Sequence, residues 1–173
     1  EMRKEFSQFD LVLAGDRMIL EAAEVTDRKY LQETENHVFL KMFLRYLHKN
    51  HKRIYLLVES EEDGQNFYDY LERHYGGVQI VGMAKVSAQN RADDMLVNAI
   101  NGGEIDCVLS ALAAPLQEEF IVRNRNLLNA GLWLGLGCEM LPVRRAGFGR
   151  GRISQFLVKM IFKKEMEKRK NRT

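Results

Sequence analysis

A chain of 173 residues with 46% hydrophobic and 29% charged content falls in the ordinary range for a soluble globular protein and can bury a sizeable core. No apolar run approaches the ~18 residues of a membrane span, and the stretch from Glu1 to Asp10 lacks the apolar segment of a signal peptide. The net charge of +2 hides an asymmetry: from Arg144 to Thr173 eleven Lys/Arg stand against Glu165 and Glu167, a net +9 that leaves −7 for the remainder, so the tail is suited to an anionic partner.

Taken in chain order, apolar β-type runs alternate with helical patterns. Phe9 to Ala14 reads as a short strand, followed by a helix from Met18 to Val25. A longer helix is expected from about Glu35 to Lys49, with Val38, Met42, Leu44, Tyr46 and Leu47 on a broad apolar face. Arg53 to Val58 is a strand; Asp63 then caps a helix that runs to Tyr75, where Gly76 and Gly77 end it. Val78 to Gly82 is the next strand, and a helix from Ala92 to Ile100 closes at Asn101-Gly102-Gly103. Ile105 to Leu112 is apolar almost throughout, as a strand covered on both faces should be. Pro115 opens a helix to Leu128, where its missing N–H costs nothing, and Ala130 to Gly137 is the last strand. The alternation predicts one parallel sheet of about five strands with helices on both faces. Residues 1–143 would form this α/β domain, and residues 144–173 a Gly/Arg-rich linker and a basic amphipathic C-terminal helix.

Chemistry on such a sheet belongs outside the carboxyl ends of its strands, in the loops after Ala14, Val58, Gly82, Leu112 and Gly137. Neither the G-x-G-x-x-G nor the G-x-x-x-x-G-K phosphate fingerprint occurs. His37, His48, His51 and His74 form no metal-type pair, so neither a metal nor a cofactor is expected. Cys107 and Cys138 lack metal-type spacing and read as buried free thiols. Glu1 precedes Met2, which suggests a chain that begins inside a longer parent or carries an added residue.

The informative stretch is Ala113-Ala-Pro-Leu-Gln-Glu118 with Phe120, Ile121 and Asn124-Arg125. It resembles the Gly-Ser/Thr-Pro-x-Gln-Glu strand end of the TagA/WecG/CpsF family of bacterial glycosyltransferases, with that family's following aromatic, isoleucine and Asn-Arg pair. Gly135-Leu-Gly-Cys138 partly matches its Gly-Val-Gly-Gly strand end, and Asp10 to Asp16 its Ala-Asp-Leu-Val-Leu-Pro-Asp-Gly. The resemblance covers roughly residues 9 to 146 and implies a Rossmann-like fold. It also implies metal-free, inverting transfer of an N-acetylmannosamine-type sugar from a UDP donor to a lipid-linked sugar diphosphate, in cell-envelope polysaccharide or teichoic acid synthesis. Asp16 is then the matching general base, displaced by one position. The substrate-binding residues would be Asn36, Pro115, Gln117, Glu118, Gly135 and Gly137, with Arg144, Arg145 and Arg152 as diphosphate clamps. A dimer or trimer is implied as well.

Each residue also has a structural reading. Asp16 suits the cap of a helix opening at Arg17; Gln117 and Glu118 suit a first helical turn; Gly135 and Gly137 suit close packing. Departures from the family pattern support an alternative, a catalytically degenerate member that binds a nucleotide sugar or a partner enzyme. Glu59-Ser-Glu-Glu-Asp-Gly64 replaces a Gly-Gly-x-x-Gly turn, and Thr34-Glu35-Asn36 replaces Gly-Ser/Thr-Asp. The sequence also carries no counterpart of the family's Thr-Pro-Asn-type N-terminal segment. The basic stripe with Ile153, Phe156, Leu157, Met160 and Ile161 could lie on an anionic bilayer at the cytoplasmic face or dock on the protein itself. Nucleic acid is not expected, because Phe156 and Phe162 form no interleaved stacking platform.

Overall fold

The computed structural model describes residues 7–88 and 93–137. Arg144, Arg145, Arg152, Cys138 and the basic C-terminal helix lie outside the described residues. Among those described, residues 7–12 and 41–137 belong to one compact unit and residues 13–40 to another.

The smaller unit holds α1 (Arg17–Ala22) and α2 (Arg28–Glu35). Each helix opens on an aspartate whose carboxylate satisfies orphan backbone donors of the first turn. Asp16 accepts from Met18 N at 2.7 Å, and Asp27 accepts from Lys29 N and Tyr30 N at 2.9 and 3.1 Å. Arg17 links the pair through Glu21 at 2.6 Å and Glu35 at 2.9 Å. The long helix expected from about Glu35 begins three residues later and ends at Lys49 as expected. Asn36 caps α2, His37 takes a left-handed φ of 50°, and α3 runs from Val38 to Lys49 across the boundary between the units. Leu40, Leu44 and Leu47 are its buried side chains, whereas Met42 and Tyr46 are exposed.

The larger unit carries β1 (Arg53–Val58), α4 (Glu61–Tyr75), β2 (Gln79–Lys85), α5 (Asp93–Gly102), β3 (Cys107–Ala111), α6 (Leu116–Asn124) and β4 (Leu132–Gly135). All pairs are parallel, in the order β2-β1-β3-β4. The sheet thus has four strands among the described residues, one fewer than the sequence pattern predicted. The missing one is the run from Phe9 to Ala14. It pairs with no strand, and Leu11, Val12 and Leu13 stand 66%, 56% and 46% exposed. Apolar composition favours a strand only where a neighbour completes its hydrogen bonds and covers its face.

Period-two alternation assigns the layers. Val58 shares a face with Ile54 and Leu56 and touches the position of Gly64, which places α4 on that side. On the opposite face, Tyr55, Leu57 and Val108 pack with Leu96 and Ile100 of α5 and Leu116 and Phe120 of α6. Helices therefore cover both faces, and β1 and β3 between them are almost wholly buried. Phe120 stacks on Trp133 with ring centroids 5.5 Å apart, tying α6 to the edge strand β4.

The amino ends of the strands are fastened by charge. Asp106 accepts from Lys52 Nζ and from Arg53 N, both at 2.8 Å, and Arg53 donates to Gly103 O at 2.8 Å. Lys52 and the backbone N–H of Arg53 hold the Asp106 carboxyl below its ordinary range.

Candidate functional site

From β1 the chain moves outward to β2, then returns across β1 to place β3 on its other side. Strand order therefore reverses between β1 and β3, and the loops after Val58 and Ala111 flank the switch point where open parallel sheets bind ligands. Glu59 and Ala113 meet across it: Ala113 N donates to Glu59 Oε1 at 2.6 Å.

The segment after Ala113 builds the head of α6. Pro115 precedes the first helical residue, as expected, and the Ala114–Pro115 peptide is cis. The helix stops at Asn124, four residues before the predicted end. Ala114 and Pro115 are exposed, while Gln117 and Glu118 behind them are buried, 9% and 8% exposed. Leu57, Ser110 and Gly135 form one cross-strand row on the α5/α6 face. Gln117 reaches that row. A Cβ added to Gly135 would sit 2.7 Å from Gln117 Nε2 and 2.9 Å from its Cδ. Gly135 is glycine because the carboxamide lies where a side chain would be. One step on, Gly137 N donates to Gln117 Oε1 in a long bond of 3.4 Å, and its φ of 72° favours glycine.

Pro115, Gln117, Glu118, Gly135 and Gly137 thus converge at the carboxyl edge on β3, α6 and β4. Glu118 Oε2 and Ser110 Oγ are buried without a hydrogen-bond partner at the same end of the sheet. The Asn-Arg pair that follows has structural duties. Asn124 donates to Phe120 O at 2.9 Å and to Asp93 at 3.2 Å, and Arg125 donates to Gln8 O at 2.8 Å. Asp16 and Asn36 belong to the smaller unit, where each caps a helix.

Sequence reasoning missed Glu59 as a contact of the Pro115 loop. Several of the acids after β1, in the stretch that replaces the family's glycine turn, have local partners. Ser60, rather than Asp63, caps α4; Ser60 Oγ accepts from Asp63 N at 3.0 Å and donates to Asp63 Oδ2 at 2.7 Å. Glu61 pairs with Lys85 at 3.1 Å. The signal that could have found Glu59 is its position, the first residue past a buried strand beside a strand-order reversal. His48 and His51 likewise have backbone duties: Gly77 N donates to His48 Nδ1 at 2.9 Å, and His51 Nδ1 lies 3.1 Å from Gly77 O. No group of three or more potential ligands could hold a metal among the described residues. A groove of about 300 Å³ lies against β2, lined by Gln65, Tyr68 and Ile80 to Met83, and holds none of the predicted site residues.

In an open parallel α/β sheet, polar residues gathered at the carboxyl edge mark the expected position of a ligand site. Residues 1–140 match the model of the glycosyl transferase WecG/TagA/CpsF family, and the chain belongs to that family. No significant match is found among curated proteins.

Proposed function

We propose that the chain is a glycosyltransferase that moves an N-acetylated hexosamine, such as N-acetylmannosamine, from a UDP donor to a lipid-linked sugar diphosphate. The acceptor hydroxyl oxygen bonds to the anomeric carbon, the bond from that carbon to the UDP oxygen breaks, and a carboxylate takes the hydroxyl proton. Asp16 is the proposed base, with Gln117 on the donor sugar and Arg144, Arg145 and Arg152 on the diphosphate. The basic tail would hold the protein against the anionic inner face of the membrane, where a lipid-linked acceptor resides. No helix among the described residues is long and apolar enough to cross a membrane.

The observation that carries this reading is the seating of Gln117. Its carboxamide is fixed between Gly135 and Gly137 at the carboxyl edge of a sheet that the family match covers. A side chain preorganised in this way recognises a polar ligand with little further loss of rotamer freedom. Titration calorimetry of the chain with UDP-N-acetylhexosamines should give measurable heat that Gln117→Ala reduces. Absence of heat with every such donor rejects the proposal.

The second reading, a member that binds a nucleotide sugar without turnover, is favoured by one observation: the Asp16 carboxylate already caps α1. Asp16→Asn preserves an oxygen for the cap and removes the base. In turnover with a lipid-linked N-acetylglucosamine diphosphate, a loss of ~10²–10⁴-fold with donor affinity intact supports catalysis by Asp16. Donor binding without turnover by the unaltered chain supports the second reading.

A further inference from the structure

We propose that Glu59 makes the switch-point crevice a hydroxyl-reading subsite, which takes the ribose or the hexose of the donor and turns its diphosphate away. The inference rests on the donor-binding reading above and concerns the same edge of the sheet.

Glu59 is the first residue after β1 and is half-buried. One carboxylate oxygen is oriented by the N–H of Ala113 at 2.6 Å, on the loop that leads into Pro115 and Gln117. An ionised carboxylate only accepts, and hydroxyl groups are the neutral ligands that donate to it. Glu59 makes no other hydrogen bond among the described residues, which leaves its second oxygen as an acceptor of the kind that reads sugar diols in dinucleotide-binding folds. The surrounding charge acts in the same sense. A helix N-terminus ordinarily attracts phosphate, yet every crossover helix on this edge opens on its own acids. These are Glu61, Glu62 and Asp63 on α4, Asp93 and Asp94 on α5, and Glu118 and Glu119 on α6. Glu61 is paired with Lys85 and Asp93 with Arg123, so the remaining acids serve to compensate the positive ends of the helix dipoles, and Glu59 supplies the negative charge at the centre. Behind the loop, Ser110 is fully buried and Glu118 is more than nine-tenths buried, each with an oxygen lacking a partner, so hydrogen-bonding capacity is left over at this point. The crevice is therefore polar, acceptor-rich and hostile to a bare phosphate.

The test compares the full chain with Glu59→Gln, which keeps an oxygen for Ala113 N–H, and with Glu59→Ala, which does not. Calorimetric affinities are measured for UDP, 2′-deoxy-UDP, a UDP-N-acetylhexosamine and inorganic pyrophosphate. If the ribose is read, the unaltered chain prefers UDP to 2′-deoxy-UDP by about tenfold or more, roughly the worth of a hydrogen bond to a charged group. If the hexose is read, the preference is instead for the UDP-sugar over UDP. In either case Glu59→Gln and Glu59→Ala abolish the preference, and pyrophosphate binds more tightly to both variants. The inference is overturned if the unaltered chain shows neither preference. It is also overturned if the preference survives in both variants, or if all four ligands tighten equally. Failure of the unaltered chain to bind any uridine ligand is a different result: it removes the donor-binding reading itself, and this inference with it.

Discussion

Gly135 shows how one missing methyl group can serve a binding edge. The nearest atoms to its absent Cβ belong to the carboxamide of Gln117, the far end of a flexible side chain. Gly135→Ala should therefore displace that group at modest expense to the fold, about 1 kcal/mol or less by thermal unfolding, because a flexible neighbour can yield. Donor affinity measured by calorimetry should nevertheless fall as far as in Gln117→Ala, since the carboxamide loses its seat in both. A Gly135→Ala protein with unchanged affinity would show that the contact only fills space. At this scale the sequence was informative where a residue's chemistry had one plausible location. Pro115 could be placed at a helix start from the pattern, and the family resemblance singled out Gln117 and the two glycines. Glu59 could not, because its role depends on Ala113, a residue 54 positions away that becomes its neighbour only through the sheet. Nor could the spacing distinguish the two readings of Asp16, since an aspartate at this position suits a helix cap and a general base alike.

Among the elements, the expected strand at Arg53–Val58 agrees to the residue, and the three that follow agree to within a few positions. The agreement has a cause: each is a predominantly apolar run between turn-forming segments. The failures are just as physical. The run from Phe9 to Ala14 has strand composition without a strand partner, and α2 escaped notice because Leu31 is its only buried residue. Its Asp27 cap was the available signal. The cap-like contact at the other end of the sheet yields a prediction about pH. Asp106 binds protons less readily in the folded chain than in the unfolded one, because Lys52 and the N–H of Arg53 stabilise its anion. A lowered folded value means that its contribution is fully present above the ordinary carboxylate range and is lost as pH falls through the folded value. Since the pair is about one-third exposed, solvent screens it, and Asp106→Asn should lower the melting temperature at pH 7 by only about 2–4 °C. The gap between variant and unaltered chain should close as the pH is taken below about 4. A gap that is constant from pH 7 to 3 would assign the effect to packing rather than charge.

At the scale of the larger unit, the central strands β1 and β3 carry the stability, and Cys107 reports on them. Its thiol is 1% exposed and pushed up to about 12, chiefly by burial and further by the Asp106 charge. Only roughly one part in 10⁴ would then be thiolate at pH 8, so the folded state should resist alkylation. In a Cys138→Ser background, labelling by iodoacetamide should follow the global unfolding transition in denaturant, and faster labelling in native buffer would reveal local opening of β3. The pairing of these two strands also fixes an order of events during synthesis. Ile54 lies opposite Cys107, so the centre of the sheet joins segments more than fifty residues apart. When β1, α4 and β2 have left the ribosome, the inner edge of β1 still has no partner, and the apolar faces that α5 and α6 will cover stand open. Contacts of long sequence separation close slowly, and an exposed strand edge can meanwhile pair with another chain. Nascent chains stalled before β3 should therefore engage hydrophobic-surface chaperones strongly, and release from them should follow the emergence of α6, whose Leu116 and Phe120 close the last of these faces.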